Sequence, residues 1–260
     1  MCFRVLASSV SSSLGSRVLI SGPPNSRKTT SLHTWPRPLH IVSFPGEKGY
    51  NTIDTAQEGV HAYIWEFDEV TKASPHAIID EVERLSWQIL GGQKGPITTF
   101  AGDGLHKLYG YYYLRARLDL DSSNIGEDVK DARAYGRSHD DFTLYLTRVN
   151  QSTVPHAVFT VWDGKEPDKD GVKGSPAHIW PELPGKMAKR IMGEFNVVLN
   201  AQIEGVLPGP TKAWWQLQPG GFVWGAGVKI PARFAAKLPQ RVEQNWTVLK
   251  AALDAAQESA

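Results

Sequence analysis

The sequence predicts an α/β protein whose mostly parallel β-sheet is flanked by helices, with an antiparallel hairpin near the C-terminus. Short apolar runs rich in β-branched residues alternate with amphipathic segments of helical length, a pattern typical of parallel strands joined by crossover helices. The first run is followed by a proline-rich turn and then by Lys-Thr-Thr. Toward the C-terminus, two aromatic-rich runs flank Pro219-Gly220-Gly221, and such a turn sequence predicts a hairpin.

The individual elements follow from local patterns. Ser74 and Pro75 form a favourable helix start, and Gly91-Gly92 ends that helix. Residues 104–120 and 140–152 have the spacing of two further amphipathic helices. The hairpin is predicted to pair 212–218 with 222–228, and the polar stretch 163–185 is predicted to be a mobile functional loop. The strands of the main sheet are predicted at 17–21, 39–44, 61–67, 97–103, 156–162 and 195–204.

The composition is that of a globular protein with one main domain. Of the 260 residues, 41% are hydrophobic and 21% are charged, which is enough apolar material to bury a full α/β core. We assign 1–15 to an N-terminal lead-in, 16–250 to the main domain and 251–260 to a C-terminal tail. The formal net charge is +1, so any nucleic-acid contact must come from local basic patches.

The cysteine count and the apolar runs bear on location. Cys2 is the only cysteine, which excludes a disulfide framework and a cysteine-based zinc site and favours a reducing cytoplasm. No apolar run reaches the roughly 20 residues of a membrane span, and the first residues lack the apolar core of a signal peptide. We therefore expect a cytoplasmic protein with no membrane partner. The eight histidines show no metal-ligand spacing, and we interpret them as structural.

Residues 20–32, ISGPPNSRKTTSL, nearly match the phosphate-binding template G-x-x-x-x-G-K-[ST]. The motif joins a predicted strand to a predicted helix, where backbone N–H groups and the helix dipole attract phosphate. Lys28 would reach the β- and γ-phosphates of ATP, and the Thr29 hydroxyl would bind Mg²⁺. The alternative is a surface turn that matches by chance. The predicted nucleotide-binding residues are Gly22, Pro23, Pro24, Asn25, Ser26, Arg27, Lys28, Thr29 and Thr30.

Arg27 stands where the template has its second glycine. Asn25 lies where many such loops carry another glycine, and asparagine is the ordinary residue that best tolerates a left-handed backbone. Arginine lacks that tolerance. We therefore predict a near-helical backbone at Arg27, with its side chain directed outward.

Two acidic residues are placed where a nucleotide hydrolase needs them. Asp103 ends a predicted buried strand, and a carboxylate there would hold the magnesium ion. Its alternative role is to cap the following helix. Glu47 lies just past the second strand, and the carboxyl ends of parallel strands surround the ligand in such folds. Glu47 would orient the attacking water; the alternative is a solvated loop acid.

The order of these motifs resembles the phage-encoded RecA-like AAA ATPases, a group that includes single-strand annealing and recombination proteins of tailed phages. The resemblance covers residues 16–250 and is carried by GPPNSRKTT, IVSFPGEKGY, ITTFAGDGLHKL, HAVFTVWD and ELPGKMAKRIMGEFNVVL. It implies a RecA-like P-loop core, ATP and Mg²⁺ as cofactors, single-stranded DNA as a partner and the cytoplasm of a bacterial host. It is compatible with a homo-oligomeric ring or filament. By position, Gly22, Lys28, Thr29, Glu47 and Asp103 match its functional residues.

The sequence departs from that family at two positions. Arg27 replaces a glycine, and Trp162 stands where relatives often carry a polar or histidine sensor. Both departures bear on ATP hydrolysis more than on ATP binding. Two alternatives therefore stay open: a nucleotide-binding assembly or regulatory protein with little turnover, and another P-loop enzyme such as a packaging motor or a kinase.

Two stretches, 114–137 and 163–185, are candidate nucleic-acid loops, because cationic side chains beside aromatic ones suit a single-strand groove. Both also contain many acids, so a solvated mixed-charge surface is the alternative. Lys186, Lys189 and Arg190 form either a solvated face or a phosphate contact. The candidate nucleic-acid residues are Arg115, Arg117, Lys130, Arg133, Arg137, Lys165 and Lys173.

Overall fold

The computed structural model describes residues 15–65, 72–121, 126–166, 178–184, 186–205, 211–219, 226–229 and 236–258. Its strands are β1 (Ser16–Gly22), β2 (Leu39–Ser43), β3 (Val60–Tyr63), β4 (Thr99–Asp103), β5 (His156–Glu166), β6 (His178–Pro181), β7 (Val197–Glu204), β8 (Lys212–Gln216), β9 (Gly227–Val228) and β10 (Arg241–Glu243). Its helices are α1 (Lys28–Ser31), α2 (Pro75–Leu90), α3 (Leu105–Asp121), α4 (Glu127–Gln151), α5 (Met187–Ile191) and α6 (Trp246–Glu258), with short 3-10 turns at Leu32–Thr34, Gly49–Thr52 and Met192–Glu194.

The strands form one sheet in the order β10-β8-β7-β1-β5-β4-β2-β3. The strands from β7 to β3 in this order are all parallel to their neighbours. Strands β8 and β10 add an antiparallel edge, while β6 pairs antiparallel with β5 and β9 with β7. The predicted fold class is thereby confirmed. Because β1 lies between β5 and β7, the loop that follows β1 emerges in the middle of the sheet.

Alternate residues of β1 pack into two cores on opposite faces of the sheet. Leu19 joins the cluster formed with α2, α3, α4 and α5. Val18 and Ile20 join the cluster that contains Trp35 and, from α6, Leu249. All three β1 residues are completely buried, and full burial of an aliphatic side chain contributes roughly 1.5–3 kcal/mol. The central strand that supports the phosphate-binding motif is therefore held firmly from both sides.

The sequence signals at the start of α2 are confirmed. The Ser74 hydroxyl accepts a hydrogen bond from the Ala77 N–H at 3.2 Å, and Pro75 occupies the first turn. The helix ends before Gly91.

The stretch 114–137 is helical rather than a loop, which corrects the prediction. Its described residues belong to the end of α3 and the start of α4, and α4 begins at Glu127 instead of near residue 140. Acidic residues in the first turn, Glu127 and Asp128, favour the positive end of the helix dipole. Ion pairs such as that of Lys130 with Glu127 hold the charged face. Their charge density conceals the helical period in the sequence.

The prediction for 163–185 is also partly wrong. Strand β5 continues to Glu166, and β6 pairs with it from Asp163–Pro181 to Glu166–His178. The remainder of that stretch, 167–177 and Gly185, lies outside the described residues.

The C-terminal strands are antiparallel as expected, but their partners differ. Strand β8 pairs with β7 and β10, whereas β9, which lies within the predicted segment 222–228, pairs with β7. The Pro-Gly-Gly sequence predicts only that the chain reverses direction. Which strands then pair depends on contacts between segments that are far apart in the sequence. Helix α6 runs through residue 250 and buries Ala256 in the core, although the division into lead-in, domain and tail stays a prediction. Within the described residues, no helix combines the length and apolar character needed to cross a membrane.

Candidate functional site

The loop after β1 has the shape of a phosphate-binding loop. It leaves the sheet at Gly22, where a Cβ atom would lie 2.6 Å from the Ser26 hydroxyl and 2.8 Å from the Ala201 carbonyl oxygen. Asn25 has φ 64°, so its predicted left-handed tolerance is confirmed. Arg27 has φ 62° and ψ 21°, and the predicted near-helical backbone is therefore wrong. The backbone at position 27 thus has the left-handed conformation that glycine adopts easily. For a residue with a Cβ, such as arginine, this conformation costs about 1 kcal/mol.

The Arg27 side chain does extend away from the loop, as predicted. Its Nη2 donates a hydrogen bond to the Thr211 hydroxyl at 2.7 Å. This bond ties the loop to the segment that leads into β8.

Lys28 is buried inside the loop. Its ammonium donates hydrogen bonds to the carbonyl oxygens of Gly22 at 2.7 Å and Pro23 at 2.8 Å. Burial lowers its pKa, and the nearby carboxylates of Asp163, Asp103 and Glu47 partly offset that effect. The cation is thus held by backbone oxygens at a position where it would meet an incoming phosphate.

Asp103 and Thr29 meet across the sheet edge. The Thr29 hydroxyl lies 3.0 Å from each carboxylate oxygen of Asp103. Strand β5 lies between β1 and β4, so its Thr160 is close to the end of β4. The Thr160 hydroxyl donates a hydrogen bond to the Asp103 carboxylate and accepts one from the Gly104 N–H. Burial, with a smaller contribution from the charge of Glu47, raises the pKa of Asp103 to about 6 despite the hydrogen bond from Thr160.

The donor set at Thr29 and Asp103 suits a magnesium ion. Mg²⁺ prefers oxygen ligands and keeps several of its waters, so one hydroxyl and one carboxylate are an adequate protein contribution. Burial disfavours the ionised form of the Asp103 carboxyl and raises its pKa. A divalent cation would stabilise that ionised form. No group of three or more His, Cys, Asp or Glu side chains with metal-binding geometry occurs among the described residues.

Glu47 faces the same cleft from the loop after β2. One carboxylate oxygen accepts hydrogen bonds from the N–H groups of Lys48 and Gly49 at 3.0 and 3.1 Å. The other, Oε2, is buried without a hydrogen-bond partner and lies 3.8 Å from His106 Nε2. The side chain is only 8% exposed, which excludes the alternative of a solvated loop acid.

Asp163 is a site residue that the sequence analysis missed. The Asn200 amide donates to its two carboxylate oxygens at 3.1 and 3.0 Å, and Ser21 also hydrogen-bonds to it. Burial raises the pKa of Asp163. These three residues lie on β5, β7 and β1. Asp163 directly follows the predicted strand 156–162, so the strand-end argument used for Asp103 could have found it.

His106 was likewise missed, whereas Trp162, which the sequence analysis singled out, does line the cleft. The two rings lie 4.6 Å apart with an interplanar angle of 30°, and Lys107 Nζ lies 5.0 Å from the centroid of Trp162. His106 therefore lies behind two residues that line the cleft, Trp162 and Glu47. No spacing rule in the sequence reveals this, because the contact depends on how α3 packs against β5.

Two adjoining cavities lie on either side of Arg27. A cleft of about 340 Å³ is lined by the loop after β1 and by Glu47, Asp103 and Trp162. A second cavity, of about 430 Å³, shares Arg27 and Thr30 with it and is also lined by Trp214 and Gln244. The first cavity contains the buried lysine, and the second lies against β8.

Gly49 lies at the end of the cleft that contains Thr29 and Asp103. A Cβ atom there would lie 2.6 Å from the Thr29 hydroxyl and 3.0 Å from Asp103 Oδ2. The loop after β2 can approach these two side chains closely because residue 49 has no side chain.

The candidate nucleic-acid side chains that the structure describes do not line the nucleotide cleft, and most of them are ion-paired. Arg115 pairs with Asp141, Arg137 with Asp119, and Lys130 with Glu127. Arg117 contacts Asp121, Glu127 and Asp131, while Arg133 is exposed. The Lys165 side chain and Lys173 lie outside the described residues.

The strand, loop and helix around a buried lysine, with a carboxylate at a nearby strand end, define the chain as an AAA-type P-loop ATPase domain. Residues 14–226 match the model of the AAA domain family, and the chain belongs to that family. A search of curated proteins finds no match.

Several solved structures are similar to this chain. The flagellar accessory protein FlaH from Methanocaldococcus jannaschii is 11% identical, with a TM-score of 0.40, over 82% of this chain and 81% of FlaH. An ATPase from the type III secretion system of pathogenic bacteria is 9% identical, with a TM-score of 0.46, over 73% of this chain and 52% of that one. The Legionella pneumophila ATPase DotB is 10% identical, with a TM-score of 0.30, over 78% of this chain and 46% of DotB.

Proposed function

We propose that this protein binds ATP with Mg²⁺ and hydrolyses it. The observation that carries this proposal is the Thr29 hydroxyl 3.0 Å from both oxygens of the buried Asp103 carboxylate, next to the buried ammonium of Lys28. The hydroxyl and the carboxylate can bind the metal ion of a nucleoside triphosphate, and the lysine can bind its phosphates.

In this proposal, Lys28 exchanges its bonds to the Gly22 and Pro23 carbonyls for the β- and γ-phosphates. The backbone N–H groups of the loop contact the same phosphates. Thr29 and Asp103 hold the magnesium ion, which when bound neutralises charge that develops on the phosphates. The nucleoside extends past Arg27 and Thr30 into the cavity beside Trp214.

Glu47 acts as the residue that orients the attacking water. Its Oε1 is fixed by two backbone N–H groups, while Oε2 has no hydrogen-bond partner. A carboxylate held in this way can accept a hydrogen bond from water without reorganising. Hydrolysis is favoured over the low-turnover alternative because the loop retains its shape even with arginine at position 27.

We also propose that the hydrolysis serves recombination or annealing of single-stranded DNA, in an assembly of identical subunits. This part is supported by the resemblance in motif order along residues 16–250. Single-stranded DNA would then stimulate ATP turnover.

One experiment separates the candidate functions. ATP turnover is measured with Mg²⁺ for the parent protein and for Glu47→Gln, with and without a single-stranded oligonucleotide, and ATP affinity is measured by calorimetry. We expect Glu47→Gln to keep its ATP affinity and to lose turnover by at least about 100-fold, because a water-orienting group acts in the transition state.

The matched control is Glu58→Gln, which removes the charge of an exposed acid outside the cleft. It should hydrolyse ATP at the parent rate. Parent-like turnover in Glu47→Gln would contradict the role of Glu47. Tight ATP binding without turnover in the parent protein would favour the assembly or regulatory alternative.

A further inference from the structure

Two hydrogen bonds connect the loop after β1 to the antiparallel edge of the sheet. The Gln244 side-chain amide donates to the Ser26 carbonyl oxygen at 3.0 Å, and the Arg27 guanidinium donates to the Thr211 hydroxyl at 2.7 Å. Gln244 directly follows β10, and Thr211 directly precedes β8. Thr211 and Gln244 lie 184 and 218 residues further along the chain than the loop residues that they bind. Two segments distant in sequence therefore anchor adjacent residues of the loop.

Gln244 is a fixed anchor. Its side chain is buried, and the same amide nitrogen donates to the Trp214 carbonyl oxygen at 3.0 Å. Because carbonyl oxygens only accept hydrogen bonds, the two amide protons serve Ser26 and Trp214. The Gln244 backbone N–H donates to the Ala213 carbonyl oxygen at 3.1 Å. Strand β10 pairs with β8, whose Trp215 is completely buried. The Ser26 carbonyl is thus bound to a well-packed part of the protein.

The two hydrogen bonds act on opposite sides of one rotatable bond, the N–Cα bond of Arg27. The Ser26 carbonyl oxygen lies in the planar peptide group on the nitrogen side of that bond, whereas the Arg27 side chain branches from Cα. Anchoring both groups fixes the rotation between them at the observed φ of 62°. A return to the right-handed region would need a rotation of roughly 120°. Such a rotation would break at least one of the two bonds.

The left-handed conformation at Arg27 shapes the loop for phosphate. Asn25 and Arg27 have φ 64° and 62°, and Ser26 between them is not among the residues with positive φ. Alternation of this kind directs successive backbone N–H groups into an anion-binding concavity. The Arg27 carbonyl oxygen also accepts a hydrogen bond from the Ser31 N–H at 2.9 Å, which begins α1. In the usual motif, glycine adopts the left-handed conformation at this position without steric cost.

We infer that Gln244 and Thr211 are positioning residues of the ATP site, which hold the Ser26–Arg27 peptide in the phosphate-binding conformation that glycine at position 27 would adopt unaided. Phosphate binding in this chain thereby depends on the edge formed by β8 and β10. The inference deepens the proposed binding of ATP and rests on it. Its structural part, control of the Arg27 backbone, does not involve ATP and can be tested separately.

The first test is Gln244→Met, which removes the amide donors and keeps the length of the side chain. Without the anchor, only a fraction of the molecules keeps the left-handed loop, so we expect the Kd for ATP with Mg²⁺ to rise about 10-fold. The KM for ATP should rise similarly while kcat stays within about 2-fold, because the loop binds the ground state and the transition state alike. Calorimetry and turnover assays measure these quantities. Parent-like affinity in the folded variant would overturn the inference.

The second test asks whether glycine at position 27 makes the anchor unnecessary. Glycine populates positive φ as readily as negative φ. We therefore expect the double variant Gln244→Met with Arg27→Gly to bind ATP within about 2-fold of Arg27→Gly alone. A general loss of packing at Gln244 would not be rescued in this way. If Gln244→Met weakens binding equally with arginine and with glycine at position 27, the positioning role is wrong.

Thr211→Val keeps the inference testable even if Gln244→Met does not fold, because Thr211 is only partly buried. The substitution removes the hydroxyl that accepts from Arg27 and keeps the shape of the side chain. We expect a smaller loss of ATP affinity, about 3-fold, because this hydrogen bond is exposed. The loss should vanish in the Arg27→Gly background, and an equal loss there would contradict the inference. The matched control is Gln93→Met, at an exposed position after α2, which should bind ATP like the parent.

A measurement without ATP separates this inference from the proposed function. Backbone chemical shifts of Arg27, recorded by NMR on isotopically labelled protein, report whether φ is positive. We expect positive φ in the parent and in Gln93→Met, and a shift toward right-handed values in Gln244→Met. Unchanged shifts at Arg27 in Gln244→Met would overturn the positioning role, whatever the affinity for ATP. A parent protein that does not bind ATP would contradict the proposed function, and the chemical shifts alone would then decide the role of Gln244.

Discussion

The nucleotide cleft and the outer face of α3 and α4 both concentrate charged side chains, but in opposite environments. In the cleft, Lys28 and Asp103 are almost completely buried and converge on one cavity. On the helices, arginines and acids are partly exposed and neutralise each other in pairs. Charge that is buried and convergent indicates a ligand, whereas paired surface charge indicates helix stabilisation and solubility. Four predictions, which together use six substitutions, test this contrast.

The largest effect is expected for Lys28→Met, which removes the ammonium and keeps the length of the side chain. Affinity for ATP with Mg²⁺ should fall at least about 100-fold, since charge-assisted contacts to phosphate are lost. The fold should persist, because a thioether tolerates the buried position. Calorimetry measures the affinity and circular dichroism the fold. Parent-like affinity would show that Lys28 does not bind phosphate. The control is Lys250→Ala, which removes the charge of an exposed lysine on α6 and should leave the affinity for ATP unchanged.

The second variant, Asp103→Asn, tests a buried carboxylate through pH. Its pKa is raised from an ordinary value of about 3.9 to about 6, so the native state binds the proton more tightly than the unfolded state. Stability contributed by this proton is present below about pH 4 and is lost as the pH rises to about 6. The shift corresponds to roughly 3 kcal/mol.

Asp103→Asn should therefore unfold at higher denaturant concentration than the parent at pH 7.5, and at nearly the same concentration at pH 4. It should also lose the increase in ATP affinity that Mg²⁺ gives. Urea titrations at several pH values measure the first effect. A constant difference across the whole pH range would mean that ionisation of Asp103 is not its cause.

A smaller effect is expected at Arg27, where two substitutions separate the contribution of the backbone conformation to stability from that of the side-chain hydrogen bond. Arg27→Ala loses the hydrogen bond to Thr211 and keeps the left-handed strain, while Arg27→Gly loses both. We expect the glycine variant to be more stable than the alanine variant by about 1 kcal/mol. Thermal unfolding of the pair measures the difference. Equal stability would show that the left-handed conformation at Arg27 carries no strain.

The smallest effect belongs to the helix face. Arg115→Ala removes the 2.9 Å pair with Asp141 and a cation–π contact to Tyr112, and should cost about 0.5–1 kcal/mol, less in high salt. Arg133→Ala, at an exposed position, should change stability by less than about 0.5 kcal/mol. Chemical denaturation at two salt concentrations compares them. A loss for Arg115→Ala as large as that for a core residue would contradict the contrast between the two regions.

The amino-acid sequence was enough to predict the α/β class, the limits of α2 and the convergence of Gly22, Lys28, Thr29, Asp103 and Glu47 at the carboxyl ends of the parallel strands. It could do so because hydrophobic period, turn chemistry and strand ends are local properties, and parallel strands deliver their carboxyl ends to the same edge.

The folded chain was needed to establish the left-handed backbone of Arg27, the partners of β8 and β9, and the places of His106 and Asp163. Each depends on contacts between segments far apart in the chain, such as the bond from Arg27 to Thr211 or from Asn200 to Asp163. The sequence analysis also failed to predict that the residues around Lys130 are helical. Their many charges look like those of a solvated loop, and the ion pairs that they form across two helices and within one turn are visible only in the structure. Local pattern specifies which residues can form a site, and packing decides which of them meet and which are buried.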